Sequence, residues 1–243
     1  MKSLKNILVA SVFTTAAGAA MADGAVIDDG YIFKNNKLIP TGARAEVGTT
    51  GYGAALQWTA SPYVGLALGY NGGNISWRDD LSVDGTKYDV DMDNKSVYLN
   101  AEIRPWGTSE NRWAQGTYFA AGVAYLDHKY DLTKRSGDGT VKVNGHNYAY
   151  NGEINGKMDY QNNIAPYLGV GIAPKFGKNW GAFGEVGAYY TGNPTVNLQA
   201  NGTFTNSNGH QIDDDLRAQE KKIANDDKYA WLPVAKVGVN YYW

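Results

Sequence analysis

Residues 229–243 alternate in a way that few folds can use. Trp231, Pro233, Ala235, Val237, Val239, Tyr241 and Trp243 share one parity, and Leu232, Val234, Lys236, Gly238, Asn240 and Tyr242 share the other. Successive side chains on a strand point to opposite faces, so the first set makes one apolar face that finishes in aromatic rings. A soluble amphipathic strand has no need of an aromatic residue at its last position. A strand whose outer face meets lipid does, because aromatic rings settle where the bilayer meets water.

The same pattern recurs upstream. Val64, Leu66, Leu68 and Tyr70 form one outward row, Val97, Leu99, Ala101 and Ile103 a second, and Phe119, Ala121, Val123 and Tyr125 a third. Ile164, Leu168, Val170 and Ile172 form another. Across residues 180–200, Trp180, Ala182, Val186, Ala188, Tyr190, Val196 and Leu198 are expected outward. Phe183, Glu185, Tyr189, Asn193, Thr195, Asn197 and Gln199 are expected inward. Connections fall into two kinds. Ala60-Ser61-Pro62, residues 107–112 and residues 174–179 are tight and polar, whereas residues 79–89, 132–155 and 201–228 are long. Short turns on one side and long loops on the other describe an all-β fold, an eight-stranded antiparallel transmembrane β-barrel of the outer membrane. Counting back gives seven strands to Gly51. The eighth is placed at about residues 38–48, with a turn at Gly48-Thr49-Thr50-Gly51, and residues 25–34 are the alternative.

The first 22 residues have the layout of a secretory signal peptide. Lys2 and Lys5 precede an apolar stretch, and Ala20-Met21-Ala22 supplies small residues for cleavage before Asp23. Residues 23–243 are then the barrel domain of a cell outer-membrane protein. The absence of cysteine removes disulfide scaffolds and thiol chemistry, and the balance of 22 basic against 24 acidic residues argues against a nucleic-acid partner. The 30 glycines and 18 tyrosines suit barrel walls, with tyrosine at interfaces and glycine relieving crowding inside.

Parity sends Arg44, Glu46, Glu102, Arg104, Glu185 and Lys236 into the barrel. Buried charges are tolerated when paired. Two readings stay open: a salt-bridged plug that holds the wall together, or a polar ladder lining a channel for a zwitterionic solute. The outer loops lean acidic, with Asp79, Asp80, Asp84, Asp89, Asp91 and Asp93 in one and Asp213, Asp214, Asp215, Glu220, Asp226 and Asp227 in another. Asp89, Asp91 and Asp93 have calcium-like spacing but lack the glycine and distal glutamate of a calcium loop, so no metal site is assigned. Residues 212–224 favour a short helix in the last long loop. Small outer-membrane barrels that act as enzymes need a histidine near serine or aspartate. His146 and His210 fall in long loops, and His128 faces inward near the outer rim, with no motif fixing a partner. Neither catalysis nor a cofactor is expected.

Several runs together are similar to CarO-type outer-membrane proteins, a family associated with carbapenem susceptibility. They include Gly42-Ala43-Arg44-Ala45-Glu46-Val47-Gly48, Pro62-Tyr63-Val64-Gly65-Leu66, Tyr98-Leu99-Asn100-Ala101-Glu102-Ile103-Arg104-Pro105-Trp106, Gly184-Glu185-Val186-Gly187 and Val237-Gly238-Val239-Asn240-Tyr241-Tyr242-Trp243. The likeness extends over nearly the whole chain after residue 22 and departs mainly in residues 132–155 and 201–227. It implies an eight-stranded barrel with passive uptake of small solutes, basic amino acids such as ornithine among them, and passage of carbapenems such as imipenem. It carries no set of binding residues. The alternative is a closed barrel whose outer loops bind a surface partner. In either case the expected partners are outer-membrane lipid and lipopolysaccharide, and the assembly machinery that reads the last strand. If the charges are inside, Glu102→Ala or Arg104→Ala should lower the thermal stability of the barrel. An unchanged melting temperature would count against the inward placement.

Overall fold

The computed structural model describes residues 39–83, 86–135, 139–160 and 163–243. The expected signal peptide and the alternative first strand at residues 25–34 lie outside them. Eleven strands, two α-helices and one 3-10 turn (Asp227–Ala230) are described. The strands are β1 (Gly42–Gly48), β2 (Gly51–Ser61), β3 (Val64–Val83), β4 (Thr86–Ile103), β5 (Thr117–Arg135), β6 (Thr140–Val143), β7 (His146–Tyr160), β8 (Ile164–Ile172), β9 (Trp180–Tyr190), β10 (Pro194–Thr205) and β11 (Trp231–Tyr242). Helix α1 (Arg112–Gly116) fills the β4–β5 connection, and α2 (Ile212–Ala224) follows β10.

Eight of the strands close a ring. β1 to β5 pair in sequence, β5 pairs with β8, β8 with β9, β9 with β11, and β11 with β1, every pair antiparallel. The first strand is therefore the one expected at about residues 38–48. Its turn is also the expected one: Gly48 pairs with Gly51, and Gly51 takes φ +106°, a backbone shape that residues with a Cβ rarely adopt.

The outer surface is the apolar belt that period two demands. Leu66, Leu68, Val97, Leu99, Val123, Leu168, Val170, Val186 and Val239 are all exposed large apolar side chains, and lipid is the solvent that accepts them. Aromatic rings bound the belt. Tyr52, Tyr70, Tyr125, Tyr190 and Trp231 lie toward the Gly48–Gly51 end, and Tyr63, Trp106, Trp180, Tyr241 and Trp243 toward the end with the short connections. No helix among the described residues is long and apolar enough to cross a membrane. Here the strands cross.

β3, β4 and β5 have 20, 18 and 19 residues, against roughly 9–11 for a membrane crossing. They run on past the belt, and β5 then changes partner. Its Thr117–Tyr125 stretch pairs with β8, whereas Tyr130–Arg135 pairs with β7. β7 pairs in turn with β10 and β6, so the sheet continues outside as a cap. Here the structure corrects two expectations. Within residues 132–155, residues 132–135 end β5 and residues 140–155 belong to the hairpin β6–β7, where a long loop was expected. Residues 180–200 are not one wall strand. The chain breaks after Tyr190, and Val196 and Leu198 on β10 are buried in the cap rather than facing lipid, while Thr195, Asn197 and Gln199 are exposed. α2, at the expected residues 212–224, explains the reversal. Its Leu216 and Ile223 join Leu132, Val143, Tyr148, Ile154, Val196 and Leu198 in a core separate from that of the barrel.

Glycines make room for large rings inside the barrel. A Cβ on Gly69 would lie 2.4 Å from the Tyr98 ring, one on Gly171 2.4 Å from Tyr118, and one on Gly187 2.5 Å from the Tyr167 hydroxyl. Gly69→Val is expected to destabilise the barrel by about 1–3 kcal/mol through overpacking, read as a lower midpoint in urea unfolding. A Gly184→Ala control, whose Cβ would touch nothing closer than 4.0 Å, should unfold like the parent.

Candidate functional site

The wall strands deliver all six predicted charges to the interior. Arg44 and Glu46 share the inner parity of β1, Glu102 sits near the end of β4 with Arg104 just beyond it, Glu185 is on β9 and Lys236 on β11. Each is between 1% and 5% exposed. Three acids and three bases thus stand in a space largely cut off from water, where an unpaired ion would cost several kcal/mol.

Five of the six are ion-paired, and Glu46 is hydrogen-bonded to a tyrosine. Glu102 is shared by two guanidinium groups: Arg44 Nη2 reaches its Oε1 at 2.9 Å, and Arg104 Nη2 contacts its Oε2. Arg44 also donates from Nε to Asn240 Oδ1 at 2.9 Å and lies 3.9 Å over the Phe183 ring centre. Glu185 anchors a second cluster. Lys236 Nζ lies 3.0 Å from its Oε1, the Tyr167 hydroxyl donates to the same oxygen at 2.8 Å, and the Tyr118 hydroxyl donates to Oε2 at 2.8 Å. Glu46 accepts from the Tyr98 hydroxyl at both oxygens, 2.9 Å each. The Tyr98 ring in turn sits 4.3 Å from Lys236 Nζ. Each of these hydrogen bonds has an ionised partner, the stronger kind in a dry interior. The structure therefore contains the salt-bridged plug of the first reading, built from the residues of the second.

Parity places Tyr98, Tyr118 and Tyr167 inside, yet nothing in the local sequence marks them as the donors that complete the carboxylates. Their signal is spread over distant strands. Each ring needs a glycine across from it, as Gly69, Gly171 and Gly187 provide. Neutral polar side chains share the interior with the charges, with Asn71, Asn94, Ser96 and Asn100 buried. His128 is buried at the rim as expected, with Nδ1 3.2 Å from the Tyr130 hydroxyl.

The acidic outer residues sort differently from their sequence pattern. Asp89, Asp91 and Asp93 lie on strand β4 rather than in an ion-binding loop, with Asp93 opposite Lys129 and Asp91 opposite Asp131. Asp213, Asp214 and Asp215 form the first turn of α2, and Lys221 and Lys222 the last. That order complements the helix dipole. Asp215 accepts from Asn144, Tyr148 and His146, which hold its carboxyl below the ordinary aspartate range despite the opposing effect of burial. Asn144 and Tyr148 were not among the residues expected to matter. The Asn144-Gly145 pair between alternating apolar runs is a hairpin signal, and it does form the β6–β7 turn, with Asn144 at φ 50° and Gly145 at φ 89°.

Among solved structures, the chain is similar to the crystal structure of Acinetobacter baumannii CarO. The two are 62% identical over 86% of this chain and 100% of the other, with a TM-score of 0.75. The crystal structure of Acinetobacter baumannii CarO2 is similar at 64% identity, over 84% of this chain and 99% of that one, with a TM-score of 0.74. No protein-family profile and no curated protein sequence matches the chain.

Removing one member of a buried pair should cost more than removing both. Lys236→Met leaves Glu185 with its two tyrosine donors but without its salt-bridge partner, and is expected to destabilise the barrel by about 3–5 kcal/mol in urea unfolding. The double variant Lys236→Met/Glu185→Gln should recover a large part of that loss. Equal loss in both would mean that the two side chains are not energetically coupled.

Proposed function

The chain belongs to the CarO family of outer-membrane β-barrel proteins, and from that premise we propose that it is a passive, low-throughput conduit for small zwitterionic or basic amino acids of the ornithine kind. One observation carries the reading: the interior sets two carboxylates, Glu102 and Glu185, in direct contact with two guanidinium groups and one ammonium group. A zwitterion brings both complements at once. Its ammonium group replaces Lys236 at Glu185 or an arginine at Glu102, and its carboxylate replaces the acid that the displaced cation has lost. Arg44, Glu46, Glu102, Arg104, Glu185 and Lys236 are the lining in this proposal.

The same contacts make passage slow. Opening a buried ion pair with nothing in its place costs about 3–5 kcal/mol, equivalent to roughly 10²–10⁴ in rate. Only a solute that substitutes its own charges as it enters avoids most of that cost. Carbapenem passage is part of the proposal through the family alone. A carbapenem is larger than ornithine and must displace more of the plug, so imipenem should cross more slowly. No catalytic step is included. Outer-membrane lipid and lipopolysaccharide surround the apolar belt in this reading, and the assembly machinery engages β11 through its aromatic end.

The cap favours a second reading, a closed barrel that presents a binding module outside. Its separate core and the packing of α2 over β10 make a folded surface rather than a set of loops.

Flux into liposomes holding the folded protein separates the two, with ornithine, glycine, glutamate and imipenem as solutes and heat-denatured protein as the control. The conduit requires flux of ornithine and glycine above control, ahead of imipenem. It also requires that flux to fall in Glu102→Gln/Glu185→Gln protein that still folds. No solute crossing faster than control would sink the conduit and leave the surface module.

A further inference from the structure

Three side chains from separate pieces of the cap meet at its outer edge. His146 opens β7 directly after the Asn144-Gly145 turn, Asp215 lies in the first turn of α2, and His210 lies in the segment leading into that helix. The His146 and His210 rings stack, with centres 3.6 Å apart and planes 18° from parallel. Asp215 is buried. Its Oδ2 lies 2.8 Å from His146 Nδ1 and accepts from the Tyr148 hydroxyl, while Oδ1 accepts from Asn144 Nδ2 at 3.0 Å. One nitrogen or oxygen of each of the three residues lies within 4.8 Å of the others. Among the described residues this is the one such cluster of three possible ligands.

We propose that His146, His210 and Asp215 form a three-ligand site for a divalent transition-metal ion of the zinc class, and that the bound ion clamps α2 to the β6–β7 hairpin. The donor set selects the ion. Two imidazoles and one carboxylate suit zinc, copper or nickel, whereas calcium takes six to eight oxygen ligands and magnesium usually keeps several waters.

Two features favour closure onto an ion. The Asp215 carboxylate is already oriented by Asn144 and Tyr148, which stay as its hydrogen-bond donors when His146 turns from it to the metal. His210 is exposed and follows Gly209 at φ +78°, so its ring can hinge off the stack at little cost. Zinc–ligand bonds of about 2.0–2.1 Å place neighbouring ligand atoms roughly 3.3 Å apart, so the widest separation in the cluster has to close by at most about 1.5 Å. Water completes the fourth position. The site lies on the cap, away from the barrel interior, and does not depend on solute passage.

The test uses the full chain, folded in detergent and free of any histidine tag, titrated with Zn²⁺ alone at neutral pH against a chromogenic chelator. One ion should bind per chain with micromolar affinity or better, and millimolar Ca²⁺ should not displace it. His210→Gln should weaken binding at least tenfold. It changes an exposed ring, and unchanged heat-modifiable gel mobility verifies that the barrel is intact. His146→Gln should weaken binding as well. Zn²⁺ should slow backbone hydrogen exchange across residues 212–224 in the parent protein and not in His210→Gln. No stoichiometric uptake, or equal affinity in His210→Gln, would overturn the site. Binding that leaves exchange in α2 unchanged would overturn the clamp.

Discussion

Seven residue pairs close the wall, from Gly42 opposite Tyr242 to Gly48 opposite Lys236. In hydrocarbon an unpaired sheet edge leaves backbone groups unsatisfied at several kcal/mol each, so a strand sheet survives there only as a closed ring. Closure then dictates the rest. Every second side chain meets lipid and must be apolar, and the others share a narrow interior. In a ring of eight that interior is filled by side chains. The pairs that seal the ring also set Arg44 and Glu46 on β1 opposite Asn240 and Gly238 on β11. Charges confined in that space require partners, and the tyrosine hydroxyls of Tyr98, Tyr118 and Tyr167 complete what the ion pairs leave open.

Much of this was legible because the barrel wall is a period-two object, and period two is local. Parity alone places Glu102 inside and Leu99 outside, and the helix at residues 212–224 is visible in its own composition. The misreading of residues 196–198 has a plain cause. Val196 and Leu198 alternate with polar residues as a wall strand does, but their apolar face is covered by α2 instead of lipid. Sequence alternation reports that a face is buried from water and does not report by what. The ion-pair partners were hidden for a related reason. Glu102 and Arg104 are two residues apart, but Arg44 meets Glu102 from 58 residues away, and Tyr118 meets Glu185 across 67. Such contacts follow from ring order and register, which no single strand encodes.

β5 belongs to both halves of the molecule. Along one strand it is barrel wall against β8 and then cap sheet against β7. The cap is therefore a continuation of the wall, with its own core and no hinge of irregular chain between β5 and the barrel. A shift of β7 or α2 reaches the rim through an unbroken strand.

The interior cluster holds three formal positive and three formal negative charges. Moving one elementary charge through a membrane potential involves about 2.3 kcal/mol per 100 mV, but a cluster that sums to zero and moves together experiences no net electrical work. Voltage across the outer membrane therefore has no net hold on the plug as a unit. In the proposed conduit its opening answers to what can replace its ion pairs, a chemical lock and not an electrical one.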